Sequence, residues 1–160
     1  MRDFTATSSA FAPGGEIPLE YTARGADRSP GFQLCNVAHG AQSLAITLDD
    51  ADHPLFKNFN HWLIWNLPVQ TTIPAGIPKG ETVPALAGAV QGLAYGRHCY
   101  KGPKPPLHSS HKYCFTFYVL DCRLALPAGS RKRALLAGMQ GHVLQTATLC
   151  GTYQTPRGAR

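Results

Sequence analysis

Hydrophobic and polar residues alternate along the segment Ser43–Leu48. Large aliphatic residues occupy every second position, and small or polar residues occupy the positions between them (Leu44, Ile46 and Leu48 against Ser43, Ala45 and Thr47). Successive side chains of a β-strand point to opposite faces of a sheet, so this period of two places the aliphatic residues on one face. The pattern predicts a half-buried strand.

Two other segments carry bulky residues on both faces, namely His61–Leu67 and Tyr113–Leu120. This pattern is typical of central strands that other elements cover on both sides. Pro68 has no N–H group for a further ladder hydrogen bond, so it is expected to end the first of these strands. Near the C-terminus, Gly151–Tyr153 predicts a last strand.

The connection Pro68–Lys101 is rich in proline, glycine and threonine and shows little periodicity. It predicts an irregular excursion with at most a short strand. Earlier in the chain, the pair Gly14-Gly15 favours a hairpin turn.

A helical pattern occurs only near the end of the chain. Ser130 is a suitable N-cap, and apolar residues at helical spacing follow it (Ala134, Leu135, Leu136 and Met139). Gly138 and Gly141 are expected to divide this region into two short helices. Strands first and helices last predict a mainly-β sandwich with peripheral C-terminal helices, in one domain spanning residues 1–160.

Composition agrees with a loop-rich β fold, because the 160 residues include 16 glycines and 13 prolines and only 15% are charged. The formal net charge of +6 favours anionic partners in general. Much of this charge lies in Arg131–Arg133 and in the tail at Arg157 and Arg160, where a solvated helix start and a solvated tail explain it. Because no DNA- or RNA-binding motif accompanies the charge, nucleic acid is not an expected partner.

The chain has no apolar run of the ~18 residues that a transmembrane span requires, and its Met-Arg-Asp-Phe start lacks the apolar core of a signal peptide. A cytoplasmic location is therefore expected. The five cysteines form no C-x-x-C zinc pattern and favour reduced thiols over a structural disulfide in that compartment. Cys114 lies in an apolar run and is assigned to packing.

Polar motifs occur at Asp50–Pro54, at His61-Trp62, at Gly102–Pro106 and at His111–Tyr113. Their order and spacing resemble the phosphatidylethanolamine-binding protein family, in its bacterial Raf-kinase-inhibitor-like branch, whose pattern reads D-P-D-A-P, H-W, G-x-G-P-x-P-P and H-R-Y. The resemblance implies a large central antiparallel sheet in a Greek-key arrangement. It also implies a binding pocket for phosphate, a phosphomonoester or a lipid head group, and regulation of a kinase or hydrolase.

The expected ligand-binding residues come from these motifs. Two carboxylates one residue apart on an extended segment face the same way, and a carboxylate next to an imidazole fixes its tautomer. We therefore expect Asp52 to orient an imidazole, and two imidazoles with a tyrosine hydroxyl and backbone N–H groups to hold an oxyanion. Lys104 stands where bacterial relatives often carry cysteine, and its ammonium is within reach of an anion. The predicted site comprises Asp50, Asp52, His61, Gly102, Lys104, His111 and Tyr113.

A small-anion or phosphoester-binding protein is the leading hypothesis, with no catalytic residue, cofactor or metal. A hydrolase that uses the Asp/His pocket is one alternative, although the chain has no nucleophile elbow and no H-E-x-x-H motif. A protein-interaction module that ignores the pocket is another. The sequence leaves the oligomeric state open, a homodimer included.

Overall fold

The computed structural model describes residues 2–156. This part of the chain forms nine strands, one α-helix and two 3-10 turns at Leu19–Tyr21 and Pro84–Leu86. The strands and the helix are β1 (Thr5–Thr7), β2 (Phe32–Cys35), β3 (Ser43–Asp50), β4 (Phe59–Leu67), β5 (Thr72–Ile73), β6 (Thr82–Val83), β7 (Ala89–Gln91), β8 (Ser110–Leu120), α1 (Lys132–Met139) and β9 (Val143–Gln154). The charged tail residues Arg157 and Arg160 lie outside the described residues. Between residues 2 and 156, no helix is long and apolar enough to cross a membrane.

The strands form two sheets. The larger has six strands in the order β6-β7-β4-β3-β8-β9, and all its pairs are antiparallel. Within it, β8-β3-β4-β7 is a Greek key, because β8 returns after a long connection to lie beside β3. The smaller sheet has the order β1-β2-β5. The predicted mainly-β fold with a central antiparallel Greek-key sheet is confirmed.

The main core lies between the two sheets. Phe32 of the smaller sheet places its ring 5.0 Å from that of Phe115 and 4.9 Å from that of Phe117, both on β8. Leu44, Ile46 and Leu48 project from β3 into the same core. The alternation read from the sequence therefore identified the correct inner face.

The opposite face of β3 is also buried, and here the prediction of a half-buried strand was wrong. Every residue from Ser43 to Asp50 is buried. Ala45 belongs to a second hydrophobic cluster that includes Trp65 of β4 and Leu135 and Met139 of α1. Helix α1 lies over this face, so small residues on β3 reflect close packing rather than exposure. Strand β4 is covered on both sides as predicted, whereas β8 is fully buried on one face and half-buried on the other.

Three local predictions need correction. The excursion after Pro68 contains three short strands, β5 to β7, rather than at most one. A single helix forms, with Arg131 rather than Ser130 at the N-cap position and with no side-chain cap. Gly14-Gly15 makes a turn, but the chain that follows pairs with β9, because the Ile17 N–H donates to the Thr152 carbonyl at 2.8 Å.

The cysteines also differ from the expectation of free thiols throughout. Cys114 of β8 and Cys150 of β9 are joined by a disulfide, with their Cα atoms 4.1 Å apart. Antiparallel pairing of β8 with β9 places these two residues directly opposite each other, which a sequence separation of 36 residues does not reveal. Cys35, Cys99 and Cys122 are free.

Candidate functional site

A cavity of about 210 Å³ lies at one end of the large sheet. Asp50 ends β3, His61 lies near the beginning of β4, and His111 and Tyr113 lie near the beginning of β8. Because β3 is antiparallel to both neighbours, its last residue lies beside their first residues. The cavity is lined by Asp50, His53, Pro54, His61, Tyr95, Lys104, Pro105, Pro106, His111 and Tyr113.

A buried carboxylate–imidazole pair forms one wall. His111 Nδ1 lies 2.7 Å from Asp50 Oδ2, and the side chains are only 10% and 4% exposed. A carboxylate can only accept in this pair, so Nδ1 carries the proton. The other Asp50 oxygen, Oδ1, accepts from the Asp52 N–H at 2.9 Å. Asp50 therefore fixes the tautomer and the orientation of His111, and leaves Nε2 for other partners.

Asp52 does not have the role that the sequence suggested. Its residue is exposed and lies outside the cavity wall, and its Oδ2 accepts from the Lys112 N–H at 2.8 Å. Strand β3 ends at Asp50 and a turn begins at Ala51. The two-residue period therefore no longer applies, and the two carboxylates separate. Asp52 ties the turn to β8, while Asp50 orients the imidazole.

His61 is held by the backbone rather than by a carboxylate. Its Nδ1 donates to the Lys101 carbonyl at 3.0 Å, and its Nε2 lies 3.4 Å from the Tyr95 hydroxyl. Burial, which outweighs the favourable hydrogen bond to Lys101 and the charge of Asp50, lowers the pKa of His61 from 6.5. The neutral ring therefore presents Nε2 as an acceptor at neutral pH.

Tyr113 carries a buried hydroxyl whose proton has no acceptor among the described residues, while the Lys104 N–H faces its oxygen. Its ring lies between the two histidines, with centroids 5.5 Å from His61 and 6.2 Å from His111. Burial, and then the charge of Asp50, raises the pKa of Tyr113 well above 10. The phenol therefore stays neutral, and its hydroxyl is a buried donor without an acceptor in a residue that lines the cavity, an arrangement that costs ~1–3 kcal/mol unless a ligand or water accepts.

The proline loop forms a second wall and is anchored from behind. The Pro105 carbonyl accepts from Thr155 Oγ1 at 2.6 Å, and the Pro103 carbonyl accepts from the Ala23 N–H at 3.0 Å. Gly102 donates its N–H to Asp27 Oδ1 at 2.7 Å, and a Cβ at this position would collide with the backbone of Tyr21. Gly102 is thus part of the loop's support rather than of the cavity wall. Lys104 is exposed and lies on the wall, as predicted.

Tyr95, His53 and Pro54 were not among the predicted site residues. Tyr95 lies at a tight turn with a φ of 53°, followed by Gly96 with a φ of 65°. Consecutive residues with positive φ are typical of a two-residue hairpin turn, but the usual Asn-Gly signal is absent from the sequence. His53 Nδ1 accepts from the N–H groups of Leu55 and Phe56 at 3.2 and 3.0 Å. These bonds shape the loop that forms the rim.

Exposed apolar side chains come directly after two of the prolines that line the cavity. Leu55 and Phe56 follow Pro54 and are 79% and 59% exposed, and Leu107 follows Pro106 and is 49% exposed.

His142 lies neither near the cavity nor in the core. It is exposed beside the first residue of β9, at the opposite end of the sheet.

Several of the residues that meet at this cavity belong to the motifs of one family. The family model described as phosphatidylethanolamine-binding protein matches residues 7–154. The chain belongs to the phosphatidylethanolamine-binding protein family. Asp50, His61 and His111, which the motif comparison selected, all lie on the wall of a single cavity in this family member.

Relatives and solved structures agree with this assignment. A UPF0098 protein of Pyrococcus abyssi is 40% identical over 149 residues, which cover 92% of this chain and 83% of the relative. A UPF0098 protein of Methanothermobacter thermautotrophicus is 40% identical over 147 residues, covering 91% and 95%. The crystal structure of a phosphatidylethanolamine-binding protein homologue from Chlamydia trachomatis has a TM-score of 0.85 at 34% identity, covering 97% of this chain and 99% of the other.

An Escherichia coli protein, described as a new member of the mammalian family, has the same fold. Its TM-score is 0.87 at 23% identity, with 96% of this chain and 99% of the other covered. The fold is therefore retained where most of the sequence has changed.

Proposed function

We propose that the cavity binds a phosphate or phosphomonoester group, free or as part of a lipid head group. The observation that carries the proposal is the buried hydroxyl of Tyr113, which lies beside His61 and His111 and has no acceptor for its proton. A buried neutral donor without an acceptor favours a ligand that supplies an oxygen. The Lys104 ammonium on the same wall favours negative charge on that ligand.

The protonation states suggest a form of the ligand that retains one acidic proton. His61 Nε2 is an acceptor in the neutral ring, so it suits a P–OH group, which would replace the Tyr95 hydroxyl 3.4 Å away, rather than a fully ionised oxygen. Tyr113 and Lys104 are donors and suit the ionised oxygens. A monoanionic phosphate monoester combines both features, which chloride and sulfate do not.

The cavity has room for a phosphoryl group but is too small to enclose a drug-sized ligand. Its volume of about 210 Å³ lies below the ~300–1,000 Å³ of pockets that enclose drug-sized ligands. The remainder of a larger ligand would then extend over the apolar rim formed by Leu55, Phe56 and Leu107. A soluble phosphomonoester and a phospholipid head group share the bound chemistry and differ in what they offer to this rim.

A titration that varies both ligand and protein tests the proposal. Phosphate should raise the melting temperature relative to chloride at matched ionic strength, since a ligand at 100 times its Kd adds ~2.7 kcal/mol of stability. Tyr113→Phe removes only the hydroxyl and should remove most of this shift, while Tyr118→Phe, a half-exposed tyrosine on the same strand, should retain it. Equal shifts with phosphate and chloride would overturn the proposal.

A second arm separates the two sources of the phosphate. Flotation with phosphatidylcholine vesicles, alone or containing phosphatidic acid or phosphatidylethanolamine, reports on lipid head groups. Vesicle binding that depends on Tyr113 and on Phe56 would identify a head group. Stabilisation by glycerol 3-phosphate without vesicle binding would identify a soluble ester.

The same cavity could also recognise a phosphorylated protein partner. A phosphorylated side chain of a kinase or hydrolase would present the same phosphoryl group, and this is the proposed route to regulating such an enzyme in the cytoplasm. The hydrolase alternative retains two imidazoles, but the residues on the cavity wall include no serine or cysteine nucleophile. Turnover of p-nitrophenyl phosphate that is lost in His111→Ala would favour the hydrolase.

A further inference from the structure

A second group of metal-ligating side chains lies at the opposite end of the large sheet. Asp121 and Cys122 follow the last residue of β8, and His142 precedes the first residue of β9. Asp121 comes ten positions after His111, a step that corresponds to roughly 33 Å of extended chain. The group is therefore independent of the phosphate cavity and takes no part in the function proposed above.

These three side chains converge on one point. One ligand atom from each lies within 4.8 Å of the ligand atoms of the other two. Asp121 Oδ1 and His142 Nδ1 are already 2.8 Å apart in a hydrogen bond. A carboxylate oxygen, an imidazole nitrogen and a sulfur are all ligands of zinc in proteins, and the sulfur disfavours magnesium and calcium.

The backbone at each of the three positions is fixed by hydrogen bonds. The Asp121 N–H donates to the His142 carbonyl at 3.0 Å, and the His142 N–H donates to the Met139 carbonyl at 2.9 Å. The Cys122 carbonyl accepts from Ser43 Oγ at 2.5 Å. The ligand-bearing segments are therefore held together before any ion binds, which lowers the cost of forming a site.

The same side chains are accessible from solvent. Those of Asp121 and His142 are 43% and 47% exposed, and Cys122 is half-buried. An ion can reach all three, and three protein ligands leave a fourth tetrahedral position for water.

We propose that Asp121, Cys122 and His142 form a binding site for a divalent transition-metal ion of the zinc class. Binding releases the thiol proton of Cys122 to solvent, and Nδ1 of His142 ligates only after its own proton has moved through solvent to Nε2, because a thiolate and an unprotonated imidazole nitrogen are the forms that ligate. The ion would link the exit from β8 to the entry into β9 at the end of the sheet remote from the cavity.

Cobalt(II) titration of the full chain tests this assignment, since a cobalt–thiolate bond gives a charge-transfer absorption that oxygen and nitrogen ligands do not. The wild-type protein should bind one ion with this absorption, and zinc should displace the ion. Cys122→Ser should abolish the absorption, and His142→Ala should weaken binding by at least about tenfold. Cys35→Ser and His39→Ala remove an exposed free thiol and an exposed histidine elsewhere, and both should behave as wild type.

Three outcomes would overturn the proposal: no charge-transfer absorption in the wild type, the same absorption in Cys122→Ser, or unchanged affinity in His142→Ala. The second would locate the ion at another thiol. Circular dichroism and melting curves of each metal-free variant establish whether it is folded. If Cys122→Ser does not fold, the cobalt affinity of His142→Ala alone tests the proposal.

Discussion

His111 Nδ1 donates to Asp50 Oδ2 across 2.7 Å, in a pair that is almost completely buried. The carboxylate comes from the end of β3 and the imidazole from the beginning of β8, so strand pairing itself brings them together. Because both partners are immobilised, Nε2 of His111 has a defined position on the cavity wall. The nearby Asp52 carboxylate contributes only indirectly, through the Lys112 N–H.

This pairing predicts different effects for two similar substitutions. Asp50→Asn should weaken phosphate binding at least tenfold, because His111 loses a charge-assisted hydrogen bond worth ~1.5–3 kcal/mol. Asp52→Asn, the matched control, removes an exposed charge and should change affinity by much less. Isothermal titration with phosphate measures both. Tighter binding by Asp50→Asn would show that charge repulsion outweighs orientation of the ring.

His111→Ala should lower phosphate affinity by a comparable ~1.5–3 kcal/mol, because it removes the oriented imidazole itself. Global stability should also fall, because Asp50 is left buried without the donor that it faces. Titration calorimetry and urea denaturation separate the two quantities. His39→Ala is the control, and a loss of stability without a loss of affinity would contradict the expectation.

The lowered pKa of His61 predicts a pH dependence of stability. The folded state binds a proton at this ring less readily than the unfolded chain, whose value is 6.5. The contribution of His61 to stability is therefore fully present above that value. It is lost as the pH falls through the window between the unfolded pKa and the lowered folded pKa. Between about pH 7.5 and 5.5, His61→Asn should lose less unfolding free energy than the wild type in urea titrations. His39→Asn should retain the wild-type dependence.

The β8–β9 disulfide predicts a large effect on stability. A cross-link between residues separated by 36 positions lowers the entropy of the unfolded chain. In the chain-entropy model this raises the free energy of unfolding by about 4 kcal/mol. The double variant Cys114→Ser/Cys150→Ser should lose stability of this order in urea denaturation, while Cys35→Ser should be neutral. If the double variant is as stable as the wild type in the absence of reductant, the disulfide does not form in solution.

An ion pair between the first turn of α1 and strand β3 predicts a loss of stability when its lysine is replaced. Lys132 Nζ donates to Asp49 Oδ2 at 2.7 Å, and the Asp49 side chain is only 9% exposed. Lys132→Met should cost ~1.5–3 kcal/mol, because it leaves a buried carboxylate without its cation. Arg133→Ala, an exposed neighbour, should change the free energy of unfolding by less than ~0.5 kcal/mol. Similar losses in both variants would exclude a specific role for the ion pair.

Much of the fold follows from short-range pattern. The aliphatic face of β3, the two-sided β4 and its end at Pro68 were all predicted from alternation and proline chemistry. The family and the residues Asp50, His61, His111 and Tyr113 followed from motif order. These features depend on the chemistry of neighbouring positions, which a sequence displays directly.

The partners of those residues depended on the tertiary structure. The end of β3 at Asp50 decided which of two carboxylates orients an imidazole, and α1 decided that the second face of β3 is buried. Tyr95 joined the site because a loop folds over His61. The register of β8 on β9 paired Cys114 with Cys150 across 36 residues. Strand register and packing arise from the summed burial of many side chains, so no local pattern specifies them.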